Sequence, residues 1–471
     1  MRIVGRNKEK AELQRYYSSG QPEFVAVYGR RRVGKTFLIK EYFNNEFNFY
    51  FTGTVGSKRV TQLSDFDEAI RRYGGVVTEA SKNWSEGFRK LRKLLEDTKH
   101  DGRNVVFIDE LPWLDTRNSD FLPALDYFWN SWASSRPELL LIVCGSATSW
   151  IVKRMFQNRG GLHNRLTGRI HLAPFTLREC EEYFAQLGVV MNRPQIIDCY
   201  SVFGGIPYYL RMFNRGLGPS QNVDNLLFSD DAPLKGEYGE LYRSLFANPQ
   251  RHLRIVEALA GTRRGMTRDE IRLATDIPEG GHFTQTLAEL EQCDFIRRYG
   301  DFTKPKNGAY YRLIDPFTLF WLRFGYGASS KDEFFWTNLR DHGSRNAWSG
   351  YAFEDICLQH LAQIKQKLGI AGVLSNVAAW RSKESKPGAQ IDLVIDRADG
   401  VINLCEMKCT NHLYTISKED GVSLQNKLSA FANETGTGKA LHLTMITSYG
   451  LSIKGYRGSI QAEVSADDLF A

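Results

Sequence analysis

Two short segments carry side chains whose types and spacing suit chemistry on phosphates, and the first follows a strand-like run at residues 24–28. It reads Gly-Arg-Arg-Arg-Val-Gly-Lys-Thr over residues 29–36 and matches the spacing G-x-x-x-x-G-K-[ST]. Glycines permit tight turns, backbone amides cradle phosphate oxygens, Lys35 reaches the β and γ phosphates, and Thr36 binds magnesium. The segment therefore predicts a site for ATP or ADP with Mg²⁺. Its predicted nucleotide contacts are Gly29, Arg30, Arg31, Arg32, Val33, Gly34, Lys35, Thr36 and Phe37.

Two acids and a hydroxyl extend this site. Asp109 and Glu110 follow the apolar run at residues 105–108, and Ser146 follows the apolar run at residues 139–144. The carboxyl ends of parallel strands meet at one edge of a sheet, so these side chains should lie near the phosphates. We expect Asp109 to hold magnesium, Glu110 to polarise the attacking water and Ser146 to sense the γ-phosphate.

Two arginines follow the same region. Arg165 and Arg169 could reach the nucleotide within the chain or, in a homo-oligomer, from a neighbouring copy. A position on the plain protein surface explains them equally well.

The second segment lies near the carboxyl end and carries two acids and a lysine. Residues 390–396 alternate polar and apolar, and residues 401–409 follow a glycine turn, which predicts a hairpin. Period-two geometry places Glu406 and Lys408 on one face of their strand, where Asp392 of the neighbouring strand can join them. Two carboxylates suit Mg²⁺ or Mn²⁺, and a lysine suits the positioning of water or the stabilisation of phosphorane charge. The segment predicts a metal-dependent hydrolytic site.

These segments need elements to position them, and the hydrophobic pattern predicts an α/β chain. Up to about residue 170, strand-like runs alternate with helical stretches, which is typical of a parallel sheet buried on both faces. Three helices near 250–261, 267–275 and 282–293, followed by a hairpin, suggest a winged helix. A helix at 351–367 opens the last region. The predicted organisation is a P-loop parallel-sheet ATPase core at 1–175, a helical lid at 176–238, a winged helix at 239–325, a linker at 326–344 and a second α/β domain at 345–471.

Composition describes a folded chain without a membrane or secretion signal. The 471 residues are enough for about three domains, and they contain no apolar run of about 18 residues and no signal-peptide core. The seven cysteines fit neither a zinc spacing nor a disulfide framework, so we expect them to be reduced. These features predict a cytoplasmic protein that does not contact a membrane. The net charge of +7 is modest for this length and is weak support for a nucleic-acid partner.

The helix that a winged helix would place in DNA, at residues 282–292, carries two acids and neither lysine nor arginine. Such a helix does not suit a groove lined with phosphates. Contacts from the wing to DNA, and a packing or regulatory role against the ATPase core, both stay open. Positive charge in this region lies instead at Arg263, Arg264, Arg268, Arg297, Arg298, Lys304 and Lys306.

Taken together, the first half of the chain resembles the AAA+ ATPases, and among them the STAND-like ATPases of archaea and bacteria. The resemblance implies that a segment formed by Val4, Gly5 and Arg6 packs around adenine together with a Gly-x-Pro segment that ends at Pro207. A helix-breaking turn explains Pro207 equally well. The resemblance rests on residues 3–6, 29–36, 107–110, 145–146, 168–169, 174–175 and 204–207.

The last region resembles the PD-(D/E)xK nucleases, in a branch often fused to such ATPases. Asp392, Glu406 and Lys408 match that motif, although Ile391 stands where the family name has proline. The resemblance further implies that Glu354 is the acid of the first helix. It predicts an ATPase whose nucleotide state regulates a metal-dependent, nuclease-like domain acting on DNA. The alternative is a nucleotide-dependent signalling or scaffold switch whose last domain binds nucleic acid or protein without cleaving it.

Overall fold

The structure is a computed structural model that describes residues 2–98, 102–116, 119–146, 148–157, 165–246, 248–262, 264–302, 308–325, 332–382 and 389–471. The chain divides into two compact units, one of Met1–Pro174 with Ser244–Ala247 and one of Phe175–Arg243 with Asn248–Ala471. By its contacts, the helical segment predicted as a lid thus falls in the second unit. Arg263, Lys304, Lys306 and part of the predicted linker lie outside the described residues.

The first unit is built around a sheet of five parallel strands. Its strands are β1 (Glu23–Tyr28), β2 (Phe49–Thr52), β3 (Asn104–Asp109), β4 (Leu139–Gly145) and β5 (Gly168–His171), in the order β2-β3-β4-β1-β5. Because β4 pairs with both β1 and β3, the carboxyl ends of these three strands meet at one edge. The predicted parallel-sheet core is confirmed. The helices of this unit are α1 (Asn7–Tyr17), α2 (Lys35–Tyr42), α3 (Arg59–Arg72), α4 (Trp84–Asp97), α5 (Phe121–Ser131) and α6 (Thr148–Ile151).

The central strands are held by a core on both faces of the sheet. Every residue of β3 and β4 is buried, which fits their unbroken apolar runs. Helix α4 is capped by Asn83, whose side chain accepts a hydrogen bond from the Glu86 amide. It buries a stripe that includes Trp84, whose ring meets that of Phe121 edge-on at 4.9 Å. Burial of each such large side chain stabilises the fold by about 2–3 kcal/mol. This packing fixes the positions of the strand ends.

The second unit begins with helices and ends in a mixed α/β region. Two of its early helices open with reciprocal capping boxes, Thr176 with Glu179 and Asn192 with Gln195. Its helices are α7 (Leu177–Leu187), α8 (Arg193–Phe203), α9 (Pro207–Leu210), α10 (Pro219–Leu227), α11 (Glu237–Leu245), α12 (Gln250–Ala260), α13 (Arg268–Thr275), α14 (Gly281–Gln292), α15 (Pro316–Phe320), α16 (Phe335–Asn338), α17 (Gly343–Gln359), α18 (Leu361–Lys367) and α19 (Lys418–Thr435). Helices α12 to α14 lie close to the three predicted positions, while their assignment to a winged helix stays a prediction.

An eight-stranded sheet runs through the second unit. It contains β6 (Met266–Thr267), β7 (Ile296–Asp301), β8 (Ala309–Leu313), β9 (Ser375–Arg381), β10 (Gln390–Arg397), β11 (Val401–Lys408), β12 (Ala440–Thr447) and β13 (Ala462–Ser465). The order is β13-β12-β11-β10-β9-β7-β8-β6. The hairpin of β7 and β8 therefore does not end as a separate wing, because β7 adds to β9 in parallel through Gly300 and Asp301.

Side chains reinforce this join between the hairpin and α17. Arg312 of β8 is buried and donates a hydrogen bond to the Asp355 carboxylate at 2.7 Å. Arg297 of β7 donates to the Leu358 carbonyl at 3.2 Å. Both acceptors lie on α17, so the two strands of the hairpin hold the same helix.

The sequence predicts a single helix at 351–367. This prediction is wrong in one respect, because the segment belongs to two helices, α17 and α18, which are separated at His360. This imidazole is buried, its Nδ1 lies 2.8 Å from the Ile356 carbonyl, and its Nε2 accepts a hydrogen bond from the Leu177 amide at 3.0 Å. Burial lowers the pKa of His360 to about 4, so the ring is neutral and can accept at Nε2. The ring thus ends α17 and caps the start of α7.

Across the described ranges, the helices are too short or too polar to cross a lipid bilayer.

Candidate functional site

The loop from residue 29 to residue 36 joins β1 to α2 and has a backbone that requires glycine at its ends. Gly29 has φ 143°, and a Cβ placed there would lie 2.2 Å from the Leu172 carbonyl oxygen. Gly34 has φ 92° and immediately precedes α2, with open space where a Cβ would stand. The two glycines therefore allow the tight turn of the loop, and no side chain of Gly34 blocks the amino-terminal end of α2. An anion that binds at the start of a helix needs this open access.

The lysine of this loop is held by backbone oxygens. Lys35 is 4% exposed, and its Nζ donates to the carbonyls of Gly29 at 2.8 Å and Arg30 at 2.9 Å. Arg6 donates from Nη2 to the Val33 carbonyl at 3.4 Å, which ties the amino-terminal segment to the same loop. The ammonium charge is thus fixed beside the loop amides.

A carboxylate and a hydroxyl meet where β3 and α2 come together. Thr36 donates from Oγ1 to Asp109 Oδ2 at 2.9 Å, while Asp109 Oδ1 accepts from the Glu110 amide at 2.9 Å and the Cys144 thiol at 2.6 Å. Burial raises the pKa of Asp109, as does the neighbouring Glu110, although these hydrogen bonds oppose the shift. This hydroxyl and carboxylate form a donor pair that fits Mg²⁺, which prefers oxygen ligands. Cys144 was not among the predicted residues.

Glu110 and Ser146 lie together at the same edge. Glu110 has φ 48°, and its Oε1 accepts a hydrogen bond from Ser146 Oγ at 2.7 Å, while its Oε2 accepts one from the Ser146 amide at 3.3 Å. The predicted water-activating acid and the predicted γ-phosphate sensor are therefore direct partners. The geometry orients one carboxylate at the mouth of the phosphate loop.

The other predicted nucleotide contacts differ in how far they are exposed to solvent. Val4 is half-buried, Gly5 has φ 57°, and Phe37 is 39% exposed on α2. Arg165 and Arg169 are exposed, and the Arg169 guanidinium lies 4.4 Å from the centre of the Phe156 ring. Pro207 is the first residue of α9 and belongs to the second unit. Of the loop residues, Arg30 and Val33 are buried, and Arg31 and Arg32 are half-buried.

The second predicted site lies on β10 and β11, which run antiparallel with Leu393 opposite Cys405. One step further along this register, Asp392 faces Glu406. Asp392 Oδ2 accepts from the Met407 amide at 3.1 Å. Burial and the charge of Glu406 raise the pKa of Asp392 to about 6. The structure thus brings these two acids together, and a divalent cation would relieve their repulsion.

Two lysines flank the inner acid of this pair. Lys408 Nζ lies 3.2 Å from Glu406 Oε1, and Lys427 Nζ on α19 lies 2.6 Å from Glu406 Oε2. Burial works to lower the pKa of Lys408, but Glu406 outweighs it and the pKa is raised. Lys427 was not predicted, because its distance from Glu406 depends on how α19 packs beside β11.

Glu354, the predicted acid of the first helix, lies on α17 with Oε2 3.8 Å from Arg312 Nη2. Burial raises the pKa of the Cys357 thiol, and Cys409, Glu354 and Asp392 raise it further, so both acids influence the same buried sulfur. No group of three or more acidic, histidine or cysteine side chains suited to a metal occurs among the residues with described positions. In the C-terminal region, the donor set that fits a divalent cation is therefore the pair Asp392 and Glu406, without Glu354.

Comparison with known proteins agrees with the geometry of the first site. Residues 3–213 match a family described as an ATPase domain predominantly from Archaea. An uncharacterized protein of Methanocaldococcus jannaschii is 24% identical over 396 residues, which are 83% of this chain and 84% of that protein. An uncharacterized ATP-binding protein of the same organism is 42% identical over 44 residues, 9% of this chain and 75% of that protein.

Among solved structures, the chain is similar to a Walker-type ATPase of Pyrococcus abyssi, with a TM-score of 0.47 and 20% identity over 68% of this chain and 96% of the other. It is also similar to the ORC2 protein of Aeropyrum pernix in its ADPNP-ADP complexes, with a TM-score of 0.43 and 16% identity over 68% and 93% of the two chains. Together with the phosphate loop, the lysine and the paired acids at the edge of the parallel sheet, the family match over residues 3–213 supports an ATP-binding P-loop ATPase domain in the first part of this chain.

Proposed function

We propose that the first site hydrolyses ATP with the roles assigned from the sequence. Lys35 would contact the β and γ phosphates, and Thr36 with Asp109 would hold Mg²⁺, which neutralises phosphate charge when bound. Glu110 orients the attacking water and accepts its proton, while Ser146 holds the Glu110 carboxylate and senses the γ-phosphate. The hydrogen bond of 2.7 Å between these last two side chains supports their shared role.

We further propose that the second unit carries a nucleotide-regulated, metal-dependent nuclease that acts on DNA. Asp392 and Glu406 would hold Mg²⁺ or Mn²⁺, which polarises a phosphodiester and activates water when bound. Lys408 would stabilise negative charge at the phosphate, while a role for Glu354 rests on the resemblance alone, since Glu354 lies 3.8 Å from Arg312. The single observation that carries this proposal is the convergence of Asp392, Glu406 and Lys408 on adjacent strands, where Lys408 lies 3.2 Å from Glu406.

We propose, as the wider organisation, the sequence-based division into an ATPase core, a helical lid, a winged helix, a linker and a nuclease-like domain. The strand order β9-β10-β11-β12, with α19 between β11 and β12, supports the last assignment. Val4, Gly5 and Arg6 would lie against adenine, and Arg165 or Arg169 would reach a nucleotide within the chain or in a homo-oligomer. The joined hairpin of β7 and β8 favours a winged helix that serves the C-terminal domain over one with a free DNA-reading wing.

The experiment is a cleavage assay with the full chain, Mg²⁺ or Mn²⁺, and single- and double-stranded DNA, with and without ATP. We expect metal-dependent cutting that Asp392→Ala and Lys408→Ala abolish while ATP hydrolysis continues. The control is Lys439→Met, which removes a lysine that contacts Asp396 at 2.6 Å outside the site. If the parent chain cuts no DNA under any of these conditions, the nuclease proposal is wrong.

One observation favours a second function, a nucleotide-dependent switch that binds without cutting. Both oxygens of Glu406 are already paired with lysines, which gives the two-acid, two-lysine cluster no net formal charge. Such a cluster could hold a DNA phosphate or an acidic protein segment instead of a metal. DNA binding that ATP changes, without cleavage, would support this function.

A further inference from the structure

The lysine on α19 occupies a carboxylate oxygen that the proposed metal site requires. Lys427 Nζ lies 2.6 Å from Glu406 Oε2, closer than Lys408 lies to the other oxygen of the same group. The Glu406 side chain is 9% exposed and that of Lys427 is 23% exposed, so this contact is partly shielded from water. A divalent cation bound to Asp392 and Glu406 would stand within a few ångströms of this ammonium, where like charges repel.

The surroundings limit where Lys427 can go. The cavity beneath the pair has a volume of about 10 Å³ and is lined mainly by apolar side chains, among them Ile391, Leu404 and Leu424. Glu406 is the one acid among the described residues that line it, so an ammonium that entered the cavity away from Glu406 would be buried among apolar side chains, at a cost that folded proteins avoid. If Lys427 leaves Glu406, its ammonium must therefore move toward solvent, to which the Lys427 side chain is already 23% exposed.

We propose that Lys427 and the divalent cation compete for Glu406, and that metal binding releases Lys427 to become a second phosphate-binding cation beside Lys408. This inference rests on the proposed metal-dependent function. It assigns Lys427 as a positioning residue, one that keeps metal affinity low until a phosphate draws the lysine away from the acid. Metal and nucleic acid would then bind cooperatively, because each favours separation of Lys427 from Glu406, which the binding of the other requires.

The test is calorimetry of Mn²⁺ binding to the full chain, where the signal lost in Asp392→Ala defines the C-terminal site. Lys427→Met keeps the apolar stem but removes the charge, and we expect it to bind Mn²⁺ roughly tenfold more tightly than the parent. Lys427→Arg keeps the charge and should restore the weaker affinity. Lys439→Met is the matched control, since it removes a lysine at the same 2.6 Å from a carboxylate, Asp396, and should leave Mn²⁺ affinity unchanged.

The sign of the effect separates this role from a structural one. A lysine needed only for packing would weaken Mn²⁺ binding when removed, so equal or weaker binding by a folded Lys427→Met chain overturns the proposal. Thermal unfolding of the same sample establishes that the variant is folded. If Lys427→Met binds Mn²⁺ more tightly but the parent chain cuts no DNA, the competition between Lys427 and the metal is supported. The nuclease proposal is then wrong. If neither the parent nor Lys427→Met binds Mn²⁺ at this site, both proposals fail.

Discussion

The two sites hold their charged groups in opposite ways. In the phosphate loop, Lys35 is bound by two backbone carbonyls, and Asp109 is held by a hydroxyl, an amide and a thiol. In the C-terminal site, the charged side chains hold one another, with Lys408 and Lys427 on the two oxygens of Glu406. The lysine of the first site is held by backbone carbonyls and its acid by neutral groups, whereas Glu406 of the second site is held by ion pairs.

This difference has a physical consequence for each site. Backbone groups cannot rotate away, so the first site keeps its charges oriented toward a ligand at little cost in entropy. Paired side chains must separate before they bind anything else, so the second site depends on what displaces them. The first arrangement suits tight binding of one ligand, and the second suits conditional binding.

The largest effect expected is on the backbone-held lysine. Lys35→Ala should reduce ATP turnover by about 1000-fold or more, because the fixed ammonium facing the β and γ phosphates supplies several kcal/mol. Lys40→Ala is the control, since it removes a lysine of the same helix whose Nζ lies over the Tyr50 ring at 4.1 Å. ATP binding and hydrolysis rates check both variants. Equal losses in the two would show that the loop geometry does not determine turnover.

The next effect concerns the acid held by Ser146. Glu110→Gln should keep nucleotide binding and slow hydrolysis by about 100- to 1000-fold, because an amide keeps the shape but cannot accept a proton. Glu138→Gln, at a surface carboxylate 3.0 Å from Arg136, should leave the rate unchanged. Single-turnover hydrolysis at saturating ATP makes this comparison. A parental rate for Glu110→Gln would remove Glu110 from the mechanism.

A third prediction addresses the ion pairs that join the hairpin to α17. Arg312→Met leaves the buried Asp355 carboxylate without its 2.7 Å partner, so the second unit should lose about 3–4 kcal/mol of unfolding free energy. Arg243→Met breaks an exposed pair with Glu240 at 3.4 Å and should cost at most about 0.5 kcal/mol. Denaturant unfolding followed on both variants gives the values. A small loss for Arg312→Met would mean that the hairpin and α17 are held by other contacts.

The sequence predicts the first site much better than the second. Residues 29–36 form a contiguous loop whose geometry is local, and the strands that carry Asp109 and Ser146 have unbroken apolar runs. The pairing of β7 with β9 joins Gly300 to Ala378 and Asp301 to Ala379, and Phe302 donates its amide to the Ala379 carbonyl. These partners are far apart in the sequence, so no local pattern predicts the pairing. The role of Lys427 cannot be predicted from local sequence for the same reason, since the packing of α19 beside β11 brings this residue to Glu406. The break at His360 depends on the distant Leu177 amide.

The smallest effect expected comes from the burial of Asp392 beside Glu406 in the C-terminal site. Asp392 has its pKa raised to about 6, above the ordinary 3.8, first by burial and then by Glu406. In the absence of added metal, both the folded and unfolded chains bind this proton below about pH 4. Between about pH 4 and 6 the unfolded chain releases it while the folded chain keeps it, so the unfolding free energy falls as pH rises. The full shift corresponds to about 3 kcal/mol, and partial exposure of the site reduces it to about 1–3 kcal/mol.

Asp392→Asn removes this penalty, so its stability relative to the parent should increase by that amount between pH 4 and pH 7. Asp399 is the control of opposite sign, because its hydrogen bond with Arg397 lowers the pKa of Asp399. Because a lowered pKa places this titration below about pH 4, Asp399→Asn should lose stability relative to the parent as pH rises toward 4 and should change little between pH 4 and pH 7. Denaturant titrations of the three proteins at both pH values, with a chelator present, make the comparison. A pH-independent difference between Asp392→Asn and the parent would mean that Glu406 does not repel Asp392 in the folded chain, and the pair would then offer a divalent cation no repulsion to relieve.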